Sequence, residues 1–301
     1  TGGTLGTFFT LWGGTTGEIY DGEIGDNAGV FGSEVRVYGG QLGKNYTVEF
    51  GGRAEVHGGE FGGLFFVAES GSVLVTGGNL GRQFTSAGTV DITGGEFGSN
   101  LLVRETGNVT ISGGVFGDFL GVAGGGTVTL RGGTPGDFFQ LNDGSQLDVV
   151  GSNFQIDGLP IDGLDDAGDQ TIITDRGGVL TGTLLDGSPF DLSLSDVISP
   201  FNEYVHPNAT LRLTMALEGD YNADGIVGTD DLSMYQSTFG TTVPAGTGAD
   251  GNGDGVVNAA DYTIWRDAFE SVETTSIPEP MASVLAALAL LLSRHRTPHR
   301  A

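Results

Sequence analysis

Cysteine is absent from this chain of 301 residues, so no disulfide framework can hold it, and rigidity has to come from backbone stacking or bound ions. Basic residues are scarce: 12 Lys and Arg stand against 38 Asp and Glu, a formal net charge of -26. That balance works against binding nucleic acid or an anionic lipid surface, and it favours solubility and divalent cations. A membrane span needs about 20 apolar residues, and the apolar stretch from Met281 to Ser293 has thirteen. Length alone permits two domains plus a tail.

Glycine, in contrast, is abundant at 56 residues, far above its usual share of about 7%, and it is periodic. The segments GGTLG, DGEIG, GGQLG, GGEFG, GGNLG, GGEFG, GGVFG and GGTPG close on Gly6, Gly25, Gly43, Gly62, Gly81, Gly98, Gly117 and Gly136, in steps of 17 to 19 residues. A fixed period near twenty marks a solenoid in which each repeat is one coil. Before each glycine pair runs a period-two alternation of β-branched residues, which means strand: Val35 with Val37, Val73 with Val75, Val90 with Ile92, Val109 with Ile111 and Val128 with Leu130. A second apolar column follows the turn, read as Phe65, Phe84, Leu101, Phe119 and Phe138, and a third lies inside it at Leu5, Ile24, Leu42, Phe61, Leu80, Phe97 and Phe116. Stacked at about 4.8 Å per coil, eight coils extend roughly 38 Å. The expected fold is therefore mainly β, a right-handed parallel β-helix or related β-solenoid over residues 1–150.

Two other repeats of similar period fail. The asparagine ladder and leucine spacing of a leucine-rich repeat are missing. The fixed aspartate of calcium-binding nonapeptides is replaced by a mixed column of Thr7, Asp26, Lys44, Gly63, Arg82, Ser99, Asp118 and Asp137, so the solenoid should be stable without metal. After Val150 the period fades, and residues 151–217 read as degenerate coils or a β cap, with two strands around a turn at Asp186 and Gly187.

Residues 218–271 carry two copies of one acidic loop, DYNADGIVGTDDL from Asp220 and DGNGDGVVNAADY from Asp250. A short loop can surround calcium by offering oxygens at positions 1, 3 and 5, a sharp glycine turn at 6, a backbone carbonyl at 7 and a last carboxylate at 12. The first copy supplies Asp220, Asn222, Asp224, Gly225, Ile226 and Asp231; the second supplies Asp250, Asn252, Asp254, Gly255, Val256 and Asp261, with Asn258 at position 9. Gly228 at position 9 leaves the first loop less complete. Two Ca2+ sites are expected; the alternative is an acidic Gly/Asn linker that binds nothing. After the loops, Leu232, Tyr235 and Phe239, then Tyr262, Trp265 and Phe269, recur at i, i+3, i+7, one apolar face on each of two helices.

The loop-then-helix order, the aspartate at position 12 and the thirty-residue offset make residues 219–270 resemble a type I dockerin. That resemblance implies a cohesin-like partner, chosen in part by loop positions 10 and 11. Those are Thr229 and Asp230, then Ala259 and Ala260, and the basic residues common in the family's helices are reduced to Arg266. Calcium-stapled folding is thus better supported than cohesin binding.

From Ile277 the chain runs Pro278, Glu279 and Pro280, then the thirteen-residue apolar stretch, then Arg294, His295, Arg296, His299 and Arg300. Motif, short hydrophobic helix and basic cluster in this order resemble a PEP-CTERM sorting signal, which together with a linker makes up residues 272–301. The resemblance implies processing by an exosortase-type membrane enzyme and delivery to the cell surface or an extracellular polysaccharide matrix. The membrane is then touched only through this segment; the alternative is a permanent tail anchor. Either requires prior export, and a signal peptide is expected before Thr1.

Parallel β-helices are common among enzymes that cut acidic polysaccharides, and such chemistry needs carboxylates or a base held together on one face. The variable turn column reads Thr4, Glu23, Gln41, Glu60, Asn79, Glu96, Val115 and Thr134, which puts Glu60 and Glu96 two coils apart, roughly 10 Å. His57 and His206 are isolated, and Arg36, Arg53, Arg82, Arg104 and Arg131 fall in different columns. No catalytic residues are assigned. The expectation is a non-enzymatic structural or adhesive protein, with a polysaccharide-acting β-helix enzyme, or a dockerin-bearing subunit of such a complex, as the alternative.

Overall fold

The computed structural model describes residues 3–198, 203–222, 226–243, 248–252 and 255–274. Among them the protein is mainly β, a solenoid of about eight turns followed by two helices. Three parallel ladders run along the rod. The first contains Glu34–Val37, Arg53–Val56, Ser72–Val75, Thr89–Phe97, Asn108–Phe116 and Thr127–Thr134. The second contains Tyr46–Glu49, Phe65–Val67, Phe84–Ser86, Leu101–Val103, Leu120–Val122 and Phe139–Leu141. The third is the short turn ladder Thr4–Leu5, Glu23–Ile24, Gln41–Leu42 and Glu60–Phe61, continued by bridges through Asn79 to Glu96.

Alternation decides which side chains fill the rod. Val73 pairs with Ala54 and Val90, then Val109, Val128 and Leu147 follow, while Val75 is matched by Val56, Ile92, Ile111, Leu130 and Val149. These residues are all buried. The aromatic ladder facing them is Tyr46, Phe65, Phe84, Leu101, Leu120 and Phe139, so its register differs from the sequence reading at Phe119 and Phe138. The buried slot lies three residues after each closing glycine. Phe119 and Phe138 come one residue earlier, at a left-handed corner with φ of 74 and 71° that they share with Asn27, Asn45, Gln83 and Asn100. Two adjacent apolar residues had hidden the alternation there.

The glycine pair has two separate causes. A Cβ on Gly94 would lie 2.6 Å from the Thr76 carbonyl oxygen of the coil before, and Gly95 sits at φ +95°, which favours glycine. The one 17-residue step is absorbed at a corner. Val67 and Ser86 stay in register across 19 residues, and Ser72 pairs with Thr89 because the intervening turn is two residues shorter.

Residues 151–217 contain one more rung. Tyr204–Val205 pairs parallel with Phe139–Leu141, and Thr210–Met215 pairs parallel with Gln146–Ile156, so the ladder resumes after an excursion. Within the excursion Val179–Leu184 and Pro189–Ser193 form the expected antiparallel hairpin, and Gln170–Ile173 pairs antiparallel along Thr210–Met215 to cover the last rung. The Asp186 carboxylate pins the hairpin to the coil below by accepting from the Gly133 and Ser188 amides at 2.5 and 2.9 Å. Arg176 holds the returning strand, donating to the carbonyls of Ile173, His206 and Ala209. The C-terminal hydrophobic helix expected over Met281 to Ser293, with Pro278, Glu279 and Pro280, lies outside the described residues, and no described helix is long and apolar enough to cross a membrane.

Glu203 is half-buried where the chain returns, and its carboxylate accepts the Ser193 amide at 2.5 Å. Burial, then Asp191 and Asp137, hold its pKa above the ordinary carboxylate value. A group whose folded-state pKa is raised stabilises the fold below its unfolded value and loses that contribution as pH rises through the folded value. Glu203→Gln should therefore gain melting temperature relative to the parent as pH rises from about 4.3; a difference independent of pH would contradict this. Phe84→Ala, which empties a slot only 1% exposed between Phe65 and Leu101, should cost about 3–5 kcal/mol in chemical denaturation.

Candidate metal centre

Two helices, α1 (Thr229–Thr238) and α2 (Ala259–Thr274), each follow one acidic loop. The loop-final carboxylates Asp231 and Asp261 are fully buried, at 0% exposure. Each spans its own loop in the same way. Asp231 accepts the Asn222 amide on Oδ1 at 2.9 Å and the Gly228 amide on Oδ2 at 2.7 Å, while Asp261 accepts Asn252 at 3.0 Å and Asn258 at 2.7 Å. Position 12 thus gathers the backbone of positions 3 and 9 in both copies. Asp250, also buried, accepts the Gly255 amide at 2.8 Å and so closes position 1 onto the turn at position 6.

The two loops are interlocked. Tyr221, at position 2 of the first, donates to the Asp261 carbonyl at 2.5 Å, and Trp265 on α2 donates to the Gly228 carbonyl at 2.8 Å. Thr242 and Val256 form a single antiparallel bridge. Tyr221, Val227, Tyr235, Ala249, Val257 and Trp265 make a small buried core. Burial, and then the Asp261 carboxylate, push the Tyr221 hydroxyl above the ordinary tyrosine range. The expected helix faces meet where the Tyr235 ring lies 5.8 Å from that of Tyr262 on α2, with Trp265 in the same small core, whereas Phe239 follows the end of α1 at Thr238 and is 56% exposed.

The donor set suits a hard cation: an oxygen that accepts one amide retains a second lone pair for a metal. Asp220 and Asp250, with Tyr221 and Asn252, line one cavity of about 710 Å³ against Asp165 and Met215 at the end of the solenoid. The carbonyls of Ile226 and Val256 belong to exposed loop positions. Asn258 has a further task in this structure, since its Oδ1 accepts the Ala260 amide and caps α2. Asp224 and Asp254 lie outside the described residues, and among the described residues no three His, Asp or Glu are grouped at metal-ligand spacing.

Elsewhere, Glu60, Asn79 and Glu96 occupy three successive rungs of the turn ladder. His57 is not isolated in space: its Nδ1 is 2.8 Å from the Thr76 hydroxyl, and Tyr20, Tyr38 and His57 stack along the rod. The sequence reading also passed over Trp12, Phe31 and Phe50, which cluster on the outside of the first coils. The signal at Trp12 and Phe31 was an aromatic residue at the outward parity of a strand, whereas Phe50 lies in the turn just past one. No protein-family model, curated protein or solved structure matches this chain.

Asp261→Asn removes one carboxylate oxygen from a buried double acceptor, a loss of about 1.5–3 kcal/mol. Amide exchange at Asn252 and Asn258 should quicken by more than about 10-fold. Asp230→Asn, at an exposed helix position, should leave both rates unchanged.

Proposed function

We propose that this chain is an exported structural or adhesive protein of the cell surface or an extracellular polysaccharide matrix. In this reading the solenoid is a stiff, metal-independent rod, the helical unit is a dockerin-like pair folded around two Ca2+ ions, and the C-terminal segment is a sorting signal removed by an exosortase-type enzyme. The observation that carries it is the duplicated carboxylate arrangement: Asp231 and Asp261 are buried and each draws in the same two loop amides. Two unrelated linker segments would have no reason to share that pattern.

Calcium, when bound, supplies a divalent charge that offsets the repulsion among carboxylates converging in each loop. Asp220, Asn222, Asp224, the Ile226 carbonyl and Asp231 would hold the first ion. Asp250, Asn252, Asp254, the Val256 carbonyl, Asn258 and Asp261 would hold the second. Gly228 brings no side chain to position 9, so the second site is the tighter. A net charge of -26 and the absence of cysteine suit a chain whose rigidity outside the cell comes from stacking and bound cations. A unit with so small a core gains from any ligand that binds only its folded state.

Isothermal calorimetry on the full chain should show two calcium sites, the tighter lost in Asp261→Ala and the weaker in Asp231→Ala. Scanning calorimetry with a chelator should remove the transition of residues 219–270 and leave that of the solenoid. No binding heat, or one joint transition with and without chelator, would refute the calcium reading.

A further inference from the structure

We propose that Trp12, Phe31 and Phe50 form a platform on the outer face of the first coils that docks a neutral polysaccharide chain. The proposal rests on the adhesive reading above and names its partner. A Cβ on Gly29 would fall 2.3 Å from Phe31 Cε2, so the glycine lets the Phe31 ring lie down against its own strand, Gly29–Phe31. Trp12 stacks on that ring at 4.4 Å with 23° between planes. Phe50, turned outward from a left-handed position at φ 55°, lies 6.0 Å from Phe31 and 6.4 Å from Trp12. Phe31 is half-buried, whereas Trp12 and Phe50 are 58% and 67% exposed.

Such a preassembled aromatic cluster is a surface feature that marks recognition, and its rings lose little freedom on binding. The register sets polar groups beside it: Thr10 and Thr47 flank Gly29, and Glu49 is opposite Phe31. A pyranose presents an apolar C–H face bordered by hydroxyls, so it can lay that face on Trp12 or Phe50 while its hydroxyls reach Glu49 and the threonines. Charge chooses among occupants. A chain at -26, with Glu49 beside the rings, repels anionic polymers and a second copy of itself.

Affinity electrophoresis of the full chain in gels cast with hydroxyethyl cellulose, galactomannan, laminarin or polygalacturonate tests this directly. At least one neutral polymer should retard the protein and shift its Trp12 emission, with polygalacturonate inert. Trp12→Ala and Phe50→Ala, both at exposed rings, should keep the melting temperature and weaken retardation by about 10-fold or more, as loss of a central aromatic contact does. Retardation unchanged in both variants would remove the platform and leave the adhesive reading intact. Absence of retardation by any neutral polymer would overturn the proposal, as would variants whose only effect is to abolish concentration-dependent self-association in sedimentation.

Discussion

Successive coils of this protein approach one another closely at the glycine corner, and the rod depends on that approach. At Gly94 the chain passes so near the Thr76 carbonyl that no side chain fits, and at Gly95 it turns into left-handed space. With the corner fixed, the next strand starts at a set height and parity. From Val73 onward the inward columns are then continuous lines of Val, Ile and Leu, and the outward column is free to vary. The high glycine content is a requirement of packing rather than a sign of a flexible chain.

In the helical unit a different interaction carries the fold. Few apolar side chains are available there, and two buried carboxylates replace them as organising centres. Buried charge is tolerated when it is hydrogen-bonded on all sides. Asp231 and Asp261 meet part of that demand with backbone amides, and a bound cation of the kind proposed would supply the rest. The bonds from Tyr221 and Trp265 both tie the first loop to α2, so the two halves form one unit.

Much of this architecture was legible in the chain because it repeats. The coil period, the Val and Ile columns and the turn ladder from Leu5 to Phe116 follow from spacing alone, since a repeat array converts sequence offset directly into position. Phe119 and Phe138 were misplaced by one residue because adjacent apolar residues carry no parity, and only the hydrogen-bonded register decides which of the pair is inside. The return of the ladder at Tyr204 was not legible, because the period gives no signal across an excursion whose contacts are antiparallel. In the loops, position marks Asp231 and Asp261 as the closing carboxylates, but neither the amides they accept nor the duty of Asn258 as a helix cap was legible. The Trp12 cluster escaped because nothing in a period distinguishes an outward aromatic that stands free from one that lies on its neighbours.

The excursion also sets an order in time. Up to Leu141 each rung meets its neighbour about one coil later in sequence, as Val122 meets Leu141, whereas the last rung brings Leu141 to Val205. Closing that longer loop costs only about 1 kcal/mol more than closing a single coil, since the entropy grows with the logarithm of length. The barrier therefore lies less in entropy than in search: the final rung has no template until the coil ending at Leu141 is in place. Folding that zips along the repeats would reach the cap last, leaving an open sheet edge during synthesis, the interval in which such rods are most exposed to edge-to-edge association.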